Sequence, residues 1–342
     1  MTTIGLKNQQ FRLAARPIGL PKPSDWKFTS EPVRELADGE ILVKTLYLSL
    51  DPANRRWMAG PTYMPQIPTG APMWGFVIGE VVASNAAGFM PGDIVGGVGT
   101  WSDYSAVSTQ GLDKIPDMGG LPLHTAMGLF RGPGGTAYVG VVDIGQLKAG
   151  QTLVVSGAAG SVGSLAGQIA KILGATVVGI AGSAEKCAWL TNELGFDHAI
   201  DYQREDVEAR LRTLCPKGVD VYFENVGGAV GNAVAANMAK FGRVAVCGLT
   251  AQYNDERAPI GLDLMPLLLN GCSMQCFILY DYLDRLPEAS AKLAEWYAAG
   301  RLKYHADITE GLENALGAFK MLFQPGAAHK GKMMVRVDPA AN

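Results

Sequence analysis

The feature that most limits this chain is a glycine-spaced turn between a strand and a helix. Ser156-Gly157-Ala158-Ala159-Gly160-Ser161-Val162-Gly163 follows the short apolar run 152–156. It opens a stretch of helical spacing over 161–173, with Val162, Leu165, Ile169 and Ile172 on one stripe. Gly157, Gly160 and Gly163 form GxxGxxG, a variant of the GxGxxG turn. Such a turn brings backbone close to a pyrophosphate and aims helix N–H groups at it. Glycines also serve plain helix–strand packing, so the surroundings decide the weight of the motif.

Those surroundings alternate. Strands are predicted at 176–181, 198–201, 219–224 and 242–247, with helices at 185–194, 205–214 and 229–239 between them. This order predicts an α/β fold with a doubly wound parallel sheet. A late strand at 274–279 and a long helix at 282–299 follow. Before residue 128 the pattern is β-rich: 40–48 and 77–84 read as strands, and Asp38-Gly39, Asp51-Pro52 and Pro91-Gly92-Asp93 as turns. The tail 332–337 alternates again and is expected to return to this first lobe. The expected division is a β-rich domain over 1–127, a dinucleotide-binding domain over 128–300 and a return over 301–342.

Composition narrows the function. At 342 residues, 48% hydrophobic and 18% charged, the chain has ample material for a buried core. A net charge of −3 without a basic run argues against a nucleic-acid binder. The five cysteines, an odd number, all lie in the second half, and no CxxC occurs. The histidines 124, 198, 305 and 329 have no HxxxH or HxxE spacing, so no zinc site is expected. No apolar leader is visible, and glycines interrupt the longest uncharged run. A soluble cytoplasmic protein is expected.

The end of the second strand of the alternating set reports on the dinucleotide. An NAD site usually has Asp or Glu there, bonding the ribose 2′-hydroxyl. Here Gly182 and Ser183 stand in that place, and Lys186 opens the next helix. The reading is NADPH, with Lys186 facing the 2′-phosphate; the plain alternative is a solvated helix lysine. Asn225 and Cys247-Gly248-Leu249-Thr250 fall at C-terminal strand ends, where ligands bind in such sheets. They are candidate cofactor contacts or ordinary turn residues.

Together these residues resemble the zinc-free medium-chain dehydrogenases/reductases. Within that family the likeness is to the leukotriene 12-hydroxydehydrogenase, prostaglandin reductase, alkenal double-bond reductase and curcumin reductase group. It is carried by Ser49-Leu50-Asp51-Pro52, Gly134-Gly135-Thr136-Ala137-Tyr138, Lys148-Ala149-Gly150, the glycine turn, Glu224-Asn225-Val226-Gly227-Gly228, Gln252-Tyr253-Asn254 and Gly331-Lys332. The resemblance implies a GroES-like first lobe completed by the tail, and a Rossmann domain between. It places cofactor contacts at Gly160, Ser161, Val162 and Gly163, at Lys186 and Tyr202 on the 2′-phosphate, and at Asn225. It adds the segment from Cys247 to Tyr253, and Phe277, Ile278 and Leu279 along the nicotinamide. It sets His329 where the family has an asparagine that approaches the cofactor. It also implies a homodimer joined through the strand around 274–277.

Zinc-dependent relatives have a cysteine and a Gly-His-Glu motif where this chain has Asp51-Pro52 and Trp74-Gly75-Phe76. A tyrosine common after Asp-Pro is replaced by Ala53, followed by Asn54 and Arg55, which implies a differently shaped substrate pocket. The implied activity is NADPH-dependent reduction of the C=C bond of an enone or enal. Tyr253 then either donates a proton or lines the pocket, and Asn54, Arg55, Tyr63 and Trp74 are candidate substrate contacts. Trp57, Tyr63, Met64, Met73 and Trp74 make either an apolar substrate wall or a packed core. Other readings are a quinone or secondary-alcohol oxidoreductase and a non-catalytic NADPH-binding protein.

Overall fold

The computed structural model describes residues 5–255 and 261–341. Contacts divide the chain into two units. One takes the chain up to 127, residues 306–324 and the tail from 332; the other takes 128–305 and 325–331. The return therefore starts at 306 rather than 301, and one short segment of the tail folds with the second unit.

The first unit is built on a sheet in the order Ala306–Glu310, Lys332–Arg336, Glu40–Ser49, Trp74–Ser84, Ile94–Thr100, Leu112–Lys114, with Tyr104–Ser108 also paired to Glu40–Ser49. Glu40–Ser49 is buried along almost its whole length because it is central and covered on both faces. An antiparallel hairpin of Lys7–Leu13 and Trp26–Pro32 brings Phe11 and Trp26 onto Trp101. Trp26 and Trp101 stack with centroids 5.3 Å apart, and Phe319 meets Trp101 edge-on at 5.5 Å. Such rings fill a small core with few side chains.

Asp51-Pro52, expected as a turn, begins a helix, Pro52–Ala59. Asp51 is its extended N-cap, and Asn54 Oδ1 reaches back to accept from Asp51 N–H at 2.8 Å. Proline at the first helical position is favourable because its missing N–H has no partner there anyway. Asp-Pro thus carries a helix-start signal as well as a turn signal.

The second unit is a six-stranded parallel sheet: β1 (Thr152–Ser156), β2 (Thr176–Ala181), β3 (His198–Asp201), β4 (Val219–Glu224), β5 (Met238–Val246) and β6 (Ser273–Cys276). Its order is β3-β2-β1-β4-β5-β6, the doubly wound arrangement. The inner strands are mostly apolar, as burial on both faces requires, with Asp220 of β4 half-buried near the strand start. Helices α1 (Ser161–Ile172), α2 (Ala184–Asn192), α3 (Val207–Leu214) and α4 (Gly228–Ala235) make the crossovers. Leu165 and Ile169 of α1 are at most 1% exposed, each stabilising by about 1.5–3 kcal/mol.

The helix expected over 282–299 is two pieces: a 3-10 turn, Leu279–Arg285, and an α-helix, Leu286–Ala298. Pro287 explains the break, since proline starts a helix but cannot sit inside one. No helix among the described residues is long and apolar enough to cross a membrane.

Candidate active site

Strand order reverses between β1 and β4, and the C-terminal ends of those strands open a crevice there. The ends are tied together by side chains. Ser156, fully buried, donates its hydroxyl to Glu224 Oε1 at 2.6 Å, and the same carboxylate oxygen accepts Val226 N–H at 2.7 Å. Asn225 donates its backbone N–H to Ser156 Oγ and its side-chain amide to Ser156 O, both at 2.8 Å. Asn225 thus acts first as a latch between strands. Ser156 and Glu224 escaped the sequence reading of the site; the polar residue closing each apolar strand was the available signal.

The glycine turn lies against this latch. Gly157 adopts φ +59°, a conformation that side chains disfavour, and faces Asn225 and Val226. A Cβ at Gly163 would stand 2.4 Å from Gly157 O, so only glycine lets the helix start this close to the turn. Gly160 is the N-cap of α1 without a side-chain cap, so the first helical N–H groups are left for another acceptor. Ser161 Oγ is buried there with no hydrogen-bond partner. Val162 is half-buried beside it.

At the end of β2, Ser183 caps α2 by accepting Lys186 N–H at 3.2 Å. Such a cap stabilises a helix by about 1 kcal/mol. Tyr202 packs its ring across Gly182, where a Cβ would stand 3.0 Å from the phenol. Lys186 is 9% exposed and, among the described residues, has no carboxylate partner. Its neighbour Glu185 is taken by Lys330 at 2.7 Å. Burial draws Lys186 below the usual lysine range and Lys330 adds to this, with Glu185 opposing. A buried ammonium, an exposed phenol and a hydroxyl around one glycine bend suit a phosphate monoester.

On the other side of the crevice, Cys247 and Gly248 donate their N–H groups to Glu224 O. Thr250 N–H bonds Asn225 O, and Leu249 packs on Gly227. Burial, helped by Glu224, pushes the Cys247 thiol up to about 12, so it is no nucleophile at neutral pH. The turn Thr250–Gln252 returns Tyr253 so that its hydroxyl stands 3.4 Å from the Cβ direction of Gly248. Tyr253 is half-buried. Phe277 points into the core, edge-on to Phe223 at 6.3 Å, so it can meet a cofactor only through its backbone. Ile278 is exposed, and Leu279 packs near Gly135.

The substrate contacts expected in the first unit divide. Asn54 is fully buried and spends its amide on Asp51 N–H and Trp74 O. Arg55, 4% exposed, donates to Pro17 O and Gly19 O, clamping that loop. The Asn54 amide and the Arg55 Nε and Nη2 donors are thereby committed to the fold. Trp57 and Met73 are fully buried core, while Trp74 and Met64 are half-buried. Tyr63 is 48% exposed and lies edge-on to Trp57 at 6.2 Å. Lys332 is buried and bound to Asp51 Oδ1 at 2.7 Å and Leu50 O at 2.8 Å. Among the described residues no group of three or more His, Cys, Asp or Glu comes together as a metal site.

Comparisons with known proteins place the chain in a family. The family described as N-terminal domain of oxidoreductase matches residues 9–115, and that described as zinc-binding dehydrogenase matches 161–296. The NADPH-dependent curcumin reductase of Escherichia coli (strain K12) is 40% identical over 338 residues, 97% of each chain. The NADP(+)-dependent 2-alkenal reductase of Nicotiana tabacum is 38% identical, covering 97% of this chain and 98% of its own. The crystal structure of CurA from Vibrio vulnificus in complex with NADPH superposes with a TM-score of 0.89 at 39% identity. It covers 96% of this chain and 99% of its own. The chain belongs to the medium-chain dehydrogenase/reductase family, in the zinc-independent group that contains the curcumin, 2-alkenal and prostaglandin reductases. It is an NADPH-dependent oxidoreductase.

Proposed function

We propose that this protein reduces the carbon–carbon double bond of a small α,β-unsaturated ketone or aldehyde. Bound NADPH supplies the hydride, which goes to the β-carbon, and negative charge then collects on the carbonyl oxygen. The residues argue for the binding side as follows. The N–H groups at the start of α1, with Ser161, receive the diphosphate. Lys186, Ser183 and Tyr202 receive the 2′-phosphate. Asn225 and the segment 247–250 shape the crevice floor.

One observation carries the chemistry: the Tyr253 hydroxyl stands over Gly248 at the strand-end crevice that also holds the glycine turn. A phenol there can donate a hydrogen bond to the developing enolate oxygen or a proton to the α-carbon. Within the first unit, the exposed ring of Tyr63 and the half-buried ring of Trp74 are candidate apolar contacts for a substrate. The test is NADPH oxidation at 340 nm with an aryl enone and a quinone in parallel, with product mass. A saturated ketone that keeps its carbonyl supports the reading; turnover with quinone alone overturns it.

We further propose that the protein works in the cytoplasm as a homodimer. β6 is a sheet edge with all four side chains exposed. Beside it lies an apolar hollow of about 370 Å³ lined by Leu264, Met265, Leu267, Leu268, Cys272 and Met274. Leu268 and Leu269 are 72% and 68% exposed, which an isolated chain would pay for in solubility. Light scattering should give twice the chain mass, and Leu268→Asp should shift it to the monomer.

A further inference from the structure

Residues 325–331 fold with the second unit although the chain before and after them folds with the first. The end of this segment is pinned to the glycine turn. Gly331 N–H donates to Ala159 O at 2.9 Å, and Gly160 and Gly331 form a β-bridge. Lys330 is held by Glu185 of α2. Next to it, His329 is 9% exposed, and its Nδ1 is buried with no hydrogen-bond partner.

The charged and titratable groups around His329 can be named. Lys186 and Glu185 come from α2, and Lys330 from its own segment. His305 packs its carbonyl on Gly331 and its ring on Trp189, centroids 5.7 Å apart. Lys186 is the charge that acts on His329, and Glu185 is already spent on Lys330. Ser161 Oγ, at the first position of the twelve-residue α1, is likewise buried and unpartnered. A buried imidazole nitrogen and a buried hydroxyl with no partner, beside a buried ammonium with no carboxylate among the described residues, are a costly grouping unless an anion completes it.

We infer that His329 is a proton-coupled phosphate ligand, neutral in the free protein and taking a proton from solvent as a dinucleotide phosphate arrives, so that Nδ1–H donates to a phosphate oxygen. This rests on the NADPH reading of the site and adds a pH dependence to it. Burial and then Lys186 push free His329 down to about 4. The phosphate charge raises the bound value. Protons are therefore taken up between the two values. Affinity rises as pH falls through the bound value and levels off below about 4.

The oxygen belongs to either the diphosphate or the 2′-phosphate. Titration calorimetry of the intact protein with NADP+ and with NAD+, in buffers of different ionisation enthalpy, separates them. The expected result is proton uptake on NADP+ binding that His329→Asn loses while still binding. Relative to that variant, the wild-type Kd should rise about threefold or more from pH 6 to pH 8. Uptake with both dinucleotides assigns the diphosphate; uptake with NADP+ alone assigns the 2′-phosphate. The nucleotide's own titration is common to wild type and variant and cancels between them. Equal uptake in wild type and His329→Asn overturns the inference and leaves the NADPH reading standing. Failure of the wild type to bind either dinucleotide overturns both. Nitrogen NMR of the wild-type ring needs no variant: a neutral imidazole in the NADP+ complex at pH 6.5 also overturns the inference.

Discussion

Two sets of buried polar groups in this molecule behave oppositely. In the first unit, Asp51, Asn54 and Lys332 are spent on one another or on backbone carbonyls. At the strand ends of the second unit, Ser161 Oγ and His329 Nδ1 are buried with no hydrogen-bond partner, and Lys186 is buried without a carboxylate partner among the described residues. Unpartnered buried atoms alone do not mark a site, since the indoles of Trp26, Trp57 and Trp101 also lack partners. Those three lie within an apolar core and carry no charge. Ser161 at the first position of α1, with Lys186 and His329 as two neighbouring groups able to carry positive charge, suits an anion.

The comparison can be broken at several points. The largest effect is expected from Gly163→Val, whose side chain would drive into Gly157 O. NADPH affinity should fall by more than about 100-fold, read by fluorescence titration with circular dichroism as the folding control. Retained affinity would mean that the helix start is not the phosphate seat. Lys186→Ala should come next. A charge-assisted hydrogen bond is worth about 1.5–3 kcal/mol, so KM for NADPH should rise about 10–100-fold and that for NADH about twofold or less. Equal losses with both would return Lys186 to a general packing role.

Arg55→Met probes the first unit. It keeps much of the aliphatic volume but removes the donors to Pro17 O and Gly19 O. Melting temperature should fall, with a stability loss of about 1–3 kcal/mol. KM for the enone should stay within about twofold. An unchanged melting temperature with a raised enone KM would make Arg55 a substrate contact after all.

Much of the second unit was legible in the sequence, because parallel strands must be mostly apolar and their helices must show a stripe. The glycine turn, the missing acid at Gly182-Ser183 and Lys186 followed from the same logic. The first unit was harder. Asp51-Pro52 carries the same residues for a turn and for a helix start, and only the pairing of Asn54 with Asp51 N–H decides between them. Asn54 and Arg55 read as pocket residues because they follow Ala53, the position where the resembled family has a tyrosine that can touch substrate. Their burial depends on carbonyls 36–38 residues away in sequence for Arg55 and 20 for Asn54. The strand-end latch of Ser156, Glu224 and Asn225 was hidden for the same reason, with partners 68 and 69 residues apart.

The central claim is hydride delivery to the β-carbon of a conjugated carbonyl. A turnover with NADPH deuterated at the transferring position and an aryl enone, followed by NMR of the product, tests it directly. The account predicts a saturated ketone with deuterium on the β-carbon. An allylic alcohol with deuterium on the carbinol carbon would contradict it.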